Sequence, residues 1–164
     1  MKVLNIHKRI LNSPKPSVAE LLATLSTEND RIWPNENWPA MKFTGGIQEG
    51  AKGGHGPIRY IVEKYNPNEI IQFRFLGPNG FNGIHKFEIG ELTNGQTEIK
   101  HTIDMKTKGR GTLIWIFAIR ALHNALIEDG FDKLESNFSD NQKSTKWNWW
   151  VRIIRKQLAK KRKS

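Results

Sequence analysis

Apolar and polar residues alternate in a series of short segments, and this two-residue period is typical of β-strands with one buried face. The first segment covers residues 3–11. Because the later segments have no helical pattern between them, we expect them to form an antiparallel sheet with short turns. Each of them is closed by glycine, proline or asparagine, and they cover residues 41–44, 56–67, 69–78, 81–92 and 96–109.

Three segments within residues 1–140 predict helices. Ser17, with Glu20 three residues later, predicts a capping box at the start of a short helix over residues 17–25. The TEND segment that follows predicts a second short helix, which ends before Pro34 because proline disfavours helix in the preceding residue. Residues 111–138 predict one long helix of about seven to eight turns.

The long helix is apolar nearly all round in its first half, which is typical of a core helix packed on a sheet. A membrane-spanning helix is disfavoured because Arg120, His123 and Asn124 interrupt the apolar stretch. That stretch is also shorter than the roughly 18 clean apolar residues that a span needs. We therefore expect the helix to lie against the sheet.

The last two strands can be aligned through their connecting loop at residues 93–95. If Gly95 is left-handed, the loop has three residues and Leu92 pairs with Gln96. A two-residue turn would shift the register by one and mix polar with apolar side chains on both faces. The three-residue loop instead gives one face that is apolar except for two histidines. The pairs opposite each other on that face are Phe87 with His101, Ile89 with Ile99, and His85 with Ile103.

The net charge of +10 is concentrated at one end of the 164-residue chain. Residues 1–140 carry 17 basic and all 16 acidic residues, whereas residues 141–164 carry nine basic residues and no acidic one. A nearly neutral body with a cationic tail differs from a basic nucleic-acid-binding domain. We therefore treat residues 1–140 as one domain and residues 141–164 as a basic, tryptophan-rich tail.

Several classes of chemistry are excluded by residues that the chain lacks. It has no cysteine, which excludes disulfides, thiol catalysis and thiolate metal sites. It also has no His-x-x-x-His or His-x-His pair, phosphate-binding loop, dinucleotide fingerprint or Gly-x-Ser-x-Gly motif, so we expect neither a metal nor a cofactor. The first residues lack the apolar block of a signal peptide, so we expect a cytoplasmic protein.

Four segments together resemble a known superfamily: WPNENWP at 33–39, GAKGGHGPIRY at 50–60, FRFLGPNGFNGIHKFEI at 73–89 and RALHNALIED at 120–129. They are similar to segments of SRPBCC proteins, also called START-like or Bet v 1-like and including polyketide cyclases and dehydrases. The resemblance covers the domain at 1–140 and implies an α+β helix-grip fold. In that fold a curved antiparallel sheet wraps around a long C-terminal helix and leaves a cavity between them. The superfamily includes lipid carriers, hormone receptors, ring cyclases and chaperone activators, so the fold does not fix the function.

The cavity implied by this fold would be lined by the apolar face of the sheet and by the long helix. His85 and His101 can orient a ligand there, act as general bases in an enzyme, or be core histidines with local hydrogen bonds. His55 is expected in a glycine-rich loop at the cavity rim, and His123 either points at the cavity or is satisfied locally. The candidate ligand-binding residues are His55, Tyr60, Phe73, Phe75, His85, Phe87, His101, Ile103, Arg120 and His123.

Among the arginines inside apolar segments, Arg120 is the candidate for a ligand contact, because a guanidinium can hold a carboxylate with two hydrogen bonds. Arg59 and Arg74 alternate with apolar neighbours, which places them on the opposite face of the sheet. For His7 we predict no special role.

The tail predicts a basic amphipathic helix, with Trp147, Trp150, Val151, Ile154 and Leu158 along one stripe. A tryptophan-rich face opposite a basic face is typical of a helix that lies on anionic lipid. Docking on the body or on a subunit, binding of nucleic acid and binding of a partner protein are the alternatives, and the interleaved tryptophans argue against nucleic acid. The candidate membrane-surface residues are Trp147, Trp149, Trp150, Arg152, Arg155 and Lys156.

These patterns predict a carrier or sensor of an apolar small molecule, lipid- or polyketide-like, bound between the sheet and the long helix. The tail would hold the protein at the inner face of a membrane as a peripheral protein. One alternative is a cyclase/dehydrase-type enzyme in which His85 or His101 is the general base. Another is a regulatory or interaction domain with a filled cavity.

Overall fold

The computed structural model describes residues 1–139 and 144–161 and contains one seven-stranded antiparallel sheet. Its strands are β1 (Lys2–Leu11), β2 (Lys42–Phe43), β3 (Lys52–His55), β4 (Ile58–Asn66), β5 (Ile70–Gly77), β6 (Phe81–Glu91) and β7 (Thr97–Thr107). They lie in the order β1-β7-β6-β5-β4-β3-β2, so the first strand pairs with the last. Two register shifts between β4 and β5 add to the curvature of the sheet, since an extra residue in one strand bends it.

The helices are α1 (Lys15–Leu22), α2 (Arg110–Ile114), α3 (Arg120–Glu135) and α4 (Trp149–Lys161). A π-helical turn at Trp115–Ile119 joins α2 to α3, so the chain is continuously helical from Arg110 to Glu135. We call this continuous helix the long helix. The α+β arrangement of a curved antiparallel sheet with a long helix packed on it, followed by a further C-terminal helix, is confirmed.

The register between β6 and β7 agrees with the sequence prediction. Phe87 lies opposite His101 and His85 lies opposite Ile103, and the Leu92 N–H donates to the Gln96 carbonyl oxygen at 2.8 Å. Gly95 has a φ of +71°, as the three-residue loop requires, and Asn94 is left-handed as well. The apolar face of the sheet therefore points at the long helix.

The long helix is fixed to the sheet at its C-terminal end. Ile127, Phe131 and Leu134 are buried there against the apolar face, and Leu134 has no exposed surface. On β1, Arg9 forms ion pairs with Asp132 at 3.0 Å and with Glu135 at 2.6 Å. Apolar packing and these ion pairs together hold this end of the helix across the first strand.

Three local predictions were wrong, and each error has a physical reason. The first helix begins at Lys15 after Pro14, not with Ser17 as its cap: the Ser17 N–H donates to the Pro14 carbonyl oxygen at 3.1 Å. Proline is well tolerated in a first helical turn because the N–H that it lacks would be unpaired there. The predicted loop around His55 is instead β3, and its Gly53 permits pairing with β2 because a Cβ there would lie 2.3 Å from the Lys42 carbonyl oxygen.

The third error concerns the predicted second short helix, which is a series of turns organised by Asp30. The buried Asp30 carboxylate accepts hydrogen bonds from the backbone N–H groups of Ser26, Ile32 and Trp33 at 2.7 to 2.9 Å. Aspartate competes with helix in this way, because its side chain can satisfy nearby backbone donors in turns. The turns place Trp33 and Trp38 at the end of the core.

We predict that Asp30→Ala lowers the free energy of unfolding by about 3 kcal/mol, because it leaves buried backbone N–H groups without an acceptor. Urea denaturation followed by tryptophan fluorescence measures the change. Asp30→Asn is the matched control and should cost less, since one oxygen can still accept from Ile32 and Trp33. Equal losses in the two variants would contradict this role of the carboxylate.

Candidate functional site

A cavity of about 370 Å³ lies between the sheet and the long helix, within the range of roughly 300–1,000 Å³ that is usual for small-molecule sites. The segment at 35–39 and the helix α4 complete its wall. Most of the lining is apolar or aromatic, with side chains from the sheet, the long helix and the loops. It includes Ile58, Phe75, Phe81, Trp115, Ile119 and Leu122.

The cavity exists because the N-terminal half of the long helix does not fill the curve of the sheet. In that half Trp115 is buried, whereas Leu113, Ile114 and Phe117 are exposed on the outer side. The π-helical turn lies in the same stretch, and such turns are frequent at functional sites. The predicted core helix is therefore packed tightly at its C-terminal end and borders the cavity in its N-terminal half.

The structure places six of the ten candidate ligand-binding residues on the cavity wall: His55, Tyr60, Phe75, His85, Ile103 and His123. Phe73, Phe87 and His101 are buried in the core and do not contact the cavity. Arg120 is exposed on the surface and also lies outside the cavity wall. The candidate residues from the strands lie on the predicted apolar face of the sheet, whereas Arg120 on the long helix does not face the cavity.

His85 is a deeply enclosed polar group on the cavity wall. Its imidazole is 5% exposed and stacks on Phe73 with ring centroids 4.7 Å apart. Its Nδ1 lies 3.4 Å from Nε2 of His101, within hydrogen-bonding distance. Its Nε2 is buried and has no hydrogen-bond partner among the described residues. Since a buried polar nitrogen without a partner is costly, a ligand group would satisfy His85 in this cavity.

Tyr60 and His55 form the second polar pair of the wall. The Tyr60 hydroxyl and Nδ1 of His55 are hydrogen-bonded to each other, and the His55 ring packs against Trp33 with centroids 4.8 Å apart. The Tyr60 ring also contacts His85 at 4.6 Å between centroids. The two groups satisfy each other's hydrogen bond, so this pair contributes mainly to the shape of the wall and less to polar contact with a ligand.

The histidines continue in a row from the cavity towards the surface. Ring centroids of His101 and His123 are 5.0 Å apart, and those of His123 and His7 are 5.8 Å apart. His7, for which no special role was predicted, ends the row: its Nδ1 lies 2.6 Å from Glu128 and its Nε2 lies 3.2 Å from Asn124 Oδ1. A chain with five histidines thus has four of them in one continuous row, including His85.

Burial keeps the inner histidines uncharged. Desolvation lowers the pKa of His55 and of His123 to about 3, and it lowers the pKa values of His85 and His101 well below their usual range. At neutral pH each ring is therefore a neutral imidazole with one donor and one acceptor nitrogen. Such groups are weak bases but good hydrogen-bond partners for a neutral polar group.

Arg155, which the sequence assigned to a membrane surface, lies at the cavity wall. Its guanidinium carbon is 4.3 Å from the Trp38 ring centroid and 4.8 Å from that of Trp147. The indole N–H groups of both tryptophans donate to Asp129, at 2.7 Å from Trp38 and 2.9 Å from Trp147. The available signal was spacing, because Arg155 follows Val151 by four residues and therefore shares its helix face.

The other candidate membrane-surface residues have mixed positions. Trp147 is half-buried, whereas Trp149 is 70% exposed, and the Trp150 indole N–H donates to the Phe117 carbonyl oxygen at 2.9 Å. Arg152 and Lys156 are exposed. Val151 is buried against the body, so one face of α4 is docked there. Leu158, predicted in the same stripe, lies outside the residues whose side chains the structure describes.

Within the described ranges 1–139 and 144–161, no group of three or more histidine or acidic side chains is arranged to hold a metal ion. In the same part of the chain, no helix has both the length and the apolar character needed to cross a bilayer. The polar groups on the cavity wall are the neutral imidazoles, the Tyr60 hydroxyl, the side chains of residues 35–37 and Arg155.

No family model matches this sequence, and no curated protein matches it either. Among solved structures, norcoclaurine synthase from Thalictrum flavum is similar with a TM-score of 0.64 and 8% identity, over 84% of this chain and 87% of that one. CalU16 from Micromonospora echinospora gives a TM-score of 0.58 and 12% identity, over 98% and 96%. A START superfamily protein from Mycobacterium smegmatis gives 0.55 and 11%, over 82% and 95%. The fold is therefore the START/Bet v 1-like fold that the sequence motifs indicated.

We predict that the free energy of unfolding falls as the pH drops below about 6.5. In that range the histidines of the unfolded chain become protonated, whereas the buried histidines of the folded protein stay neutral. The pKa values of these histidines are lower in the folded protein than in the unfolded chain. Their contribution to the free energy of unfolding is therefore fully present above about pH 6.5 and is lost as the pH falls towards about 3. Near pH 5.5 the slope should approach four protons, each worth about 1.4 kcal/mol per pH unit.

Urea unfolding between about pH 8 and about pH 5.5 measures this slope, and a His123→Gln variant is the control. The variant should show a slope smaller by about one proton, because one buried imidazole is gone. Flat stability across the range, or identical slopes in both proteins, would contradict the buried neutral state of the histidines.

Proposed function

We propose that this protein binds and carries an apolar small molecule, lipid- or polyketide-like, in the cavity between the sheet and the long helix. The observation that carries the proposal is the combination of an apolar cavity of about 370 Å³ with the buried, unpartnered Nε2 of His85 on its wall. Apolar walls with a few polar groups are what ligand sites of this size have in common. Burial of apolar ligand surface would supply about 25 cal/mol per Å² before ordering costs.

His85 suits a neutral polar group on such a ligand. If His101 donates from Nε2, the Nε2 of His85 carries a proton and can donate to a carbonyl oxygen of the ligand. If His85 donates from Nδ1 instead, its Nε2 accepts from a ligand hydroxyl. The hydrogen-bonded pair thus adapts to a ketone, an aldehyde or an alcohol without any change of charge.

An enzyme of the cyclase/dehydrase type, with His85 or His101 as general base, is less well supported. A general base works best when its pKa lies near the operating pH, whereas burial holds the pKa values of both rings far below it. His101 also lies outside the cavity wall. A regulatory or interaction domain would have a filled interior, so the cavity of about 370 Å³ disfavours this alternative.

In the same proposal the tail of residues 141–164 attaches the domain of residues 1–140 to an anionic membrane surface. Trp149 and Ile153 on α4 are exposed, and so is Phe117 on the neighbouring long helix, to which Trp150 is hydrogen-bonded. The surrounding charged side chains are basic, because residues 144–161 contain no acidic residue. Apolar side chains with basic neighbours fit the headgroup layer of anionic lipid.

We predict that Leu122→Trp weakens binding of the neutral fluorescent probe N-phenyl-1-naphthylamine by about tenfold or more, because the larger side chain occupies the cavity. A fluorescence titration measures the Kd. Leu113→Trp is the matched control, since Leu113 is on the same helix and faces solvent. Unchanged binding in Leu122→Trp, or no binding by the native protein, would overturn the carrier proposal.

We predict that the protein sediments with phosphatidylglycerol vesicles and not with phosphatidylcholine vesicles. Trp149→Ser and Phe117→Ser should each weaken binding by roughly tenfold, because each removes an aromatic ring that enters the headgroup layer. The matched control is Leu4→Ser, which removes an exposed apolar side chain from β1. Equal binding to both kinds of vesicle, or an equal effect of the control, would argue against this surface.

A further inference from the structure

We propose that the ligand is an amphipathic carboxylic acid whose carboxylate is held by Arg155, with its apolar chain inside the cavity. The inference rests on the proposed ligand-binding function and narrows it to a chemical class. It also gives the tail a role in the site, since the arginine that binds the ligand comes from α4 and not from the long helix.

Arg155 is the cationic side chain on the cavity wall among the described residues. Its guanidinium is half-buried and contacts two indole rings, yet it has no hydrogen-bond or ion-pair partner within the ranges 1–139 and 144–161. A partly desolvated guanidinium without such a partner is costly, because some of its N–H donors have lost hydrogen bonds to water and have no protein acceptor in their place. An anion at the cavity mouth would remove that cost.

The indole contacts also prepare the guanidinium for a planar partner. Trp38 and Trp147 lie against its carbon at 4.3 and 4.8 Å, so the ring contacts restrain the group while its N–H edges stay unpaired. A carboxylate matches those edges with two parallel hydrogen bonds. A lysine ammonium at this place would supply the charge without that geometry.

The charges near Arg155 leave room for an added anion. Asp129 faces it, but its carboxylate accepts the indole N–H groups of Trp38 and Trp147, and burial raises its pKa. Glu36, the other charged residue of the cavity wall, is paired with Lys133 at 2.9 Å. The histidines of the wall are neutral, since burial lowers their pKa values. No carboxylate of the site is therefore hydrogen-bonded to Arg155.

Asp129 is a positioning residue in this arrangement. It binds both tryptophans that flank Arg155, with Trp38 coming from the body and Trp147 from the segment just before α4. The two rings meet edge to face with centroids 5.5 Å apart. This contact fixes the start of the tail against the body, and the four-residue spacing from Val151 then directs Arg155 to the cavity mouth.

Isothermal titration of the full-length protein with decanoic acid and with 1-decanol, both at about pH 8, tests the inference. We expect the acid to bind about tenfold or more tightly than the alcohol, because only the acid is ionised. Arg155→Gln should abolish that preference, because it weakens binding of the acid far more than binding of the alcohol. Arg155→Lys should retain part of it.

The controls are Lys156→Gln and Arg120→Gln, which remove exposed charges from α4 and from the long helix. Both should keep the preference for the acid. Equal affinity of the native protein for acid and alcohol, or a preserved preference in Arg155→Gln, would overturn the inference. Binding of the neutral naphthylamine probe separates the two levels: if it binds but the acid is not preferred, only the carboxylate inference fails, and if nothing binds, the carrier proposal fails with it.

Discussion

The cavity depends on one geometric constraint, which is that a straight helix cannot follow a curved sheet along its whole length. The chain fixes the contact at the C-terminal end, where Phe131 and Leu134 are buried and Arg9 is paired with Asp132 and Glu135. The preceding part of the helix borders the cavity, with Trp115 turned inward and Phe117 outward. The ion pairs matter more for where the helix is held than for net stability, because desolvation offsets much of their attraction.

A cavity formed in this way needs polar groups that do not carry charge. Charged side chains on its inner wall would be strongly penalised by the surrounding apolar residues. Histidine satisfies the requirement because burial lowers its pKa, and the ring then presents a donor and an acceptor at neutral pH. The hydrogen bond between His85 and His101 couples their tautomers. His101 does not touch the cavity, yet its protonated nitrogen determines whether His85 offers a donor or an acceptor there.

The sequence predicts the parts of the fold in which side-chain period and burial agree. Phe87 and His101 could be paired in advance because only one register separates apolar from polar side chains. The sequence does not predict that Gly53 lies in a strand, since glycine is usually depleted in strands. The close approach of β2 that requires glycine at this position is a tertiary contact, which the local sequence does not show. Arg120 and Arg155 show the same limit within the site. The π-helical turn changes the phase of the long helix before Arg120. Spacing places Arg155 on the same helix face as Val151, but it does not show that this face docks on the body.

The charge division along the chain suggested a tail with a function of its own, but its helix uses two faces for two different contacts. Val151 and Arg155 face the body, where Arg155 forms part of the cavity wall. Trp149 and Ile153 face outward beside basic residues. Membrane attachment through the outer face would not require the inner face to leave the body. A ligand held at Arg155 would strengthen the docking of α4 by linkage, because it binds only where the helix is docked.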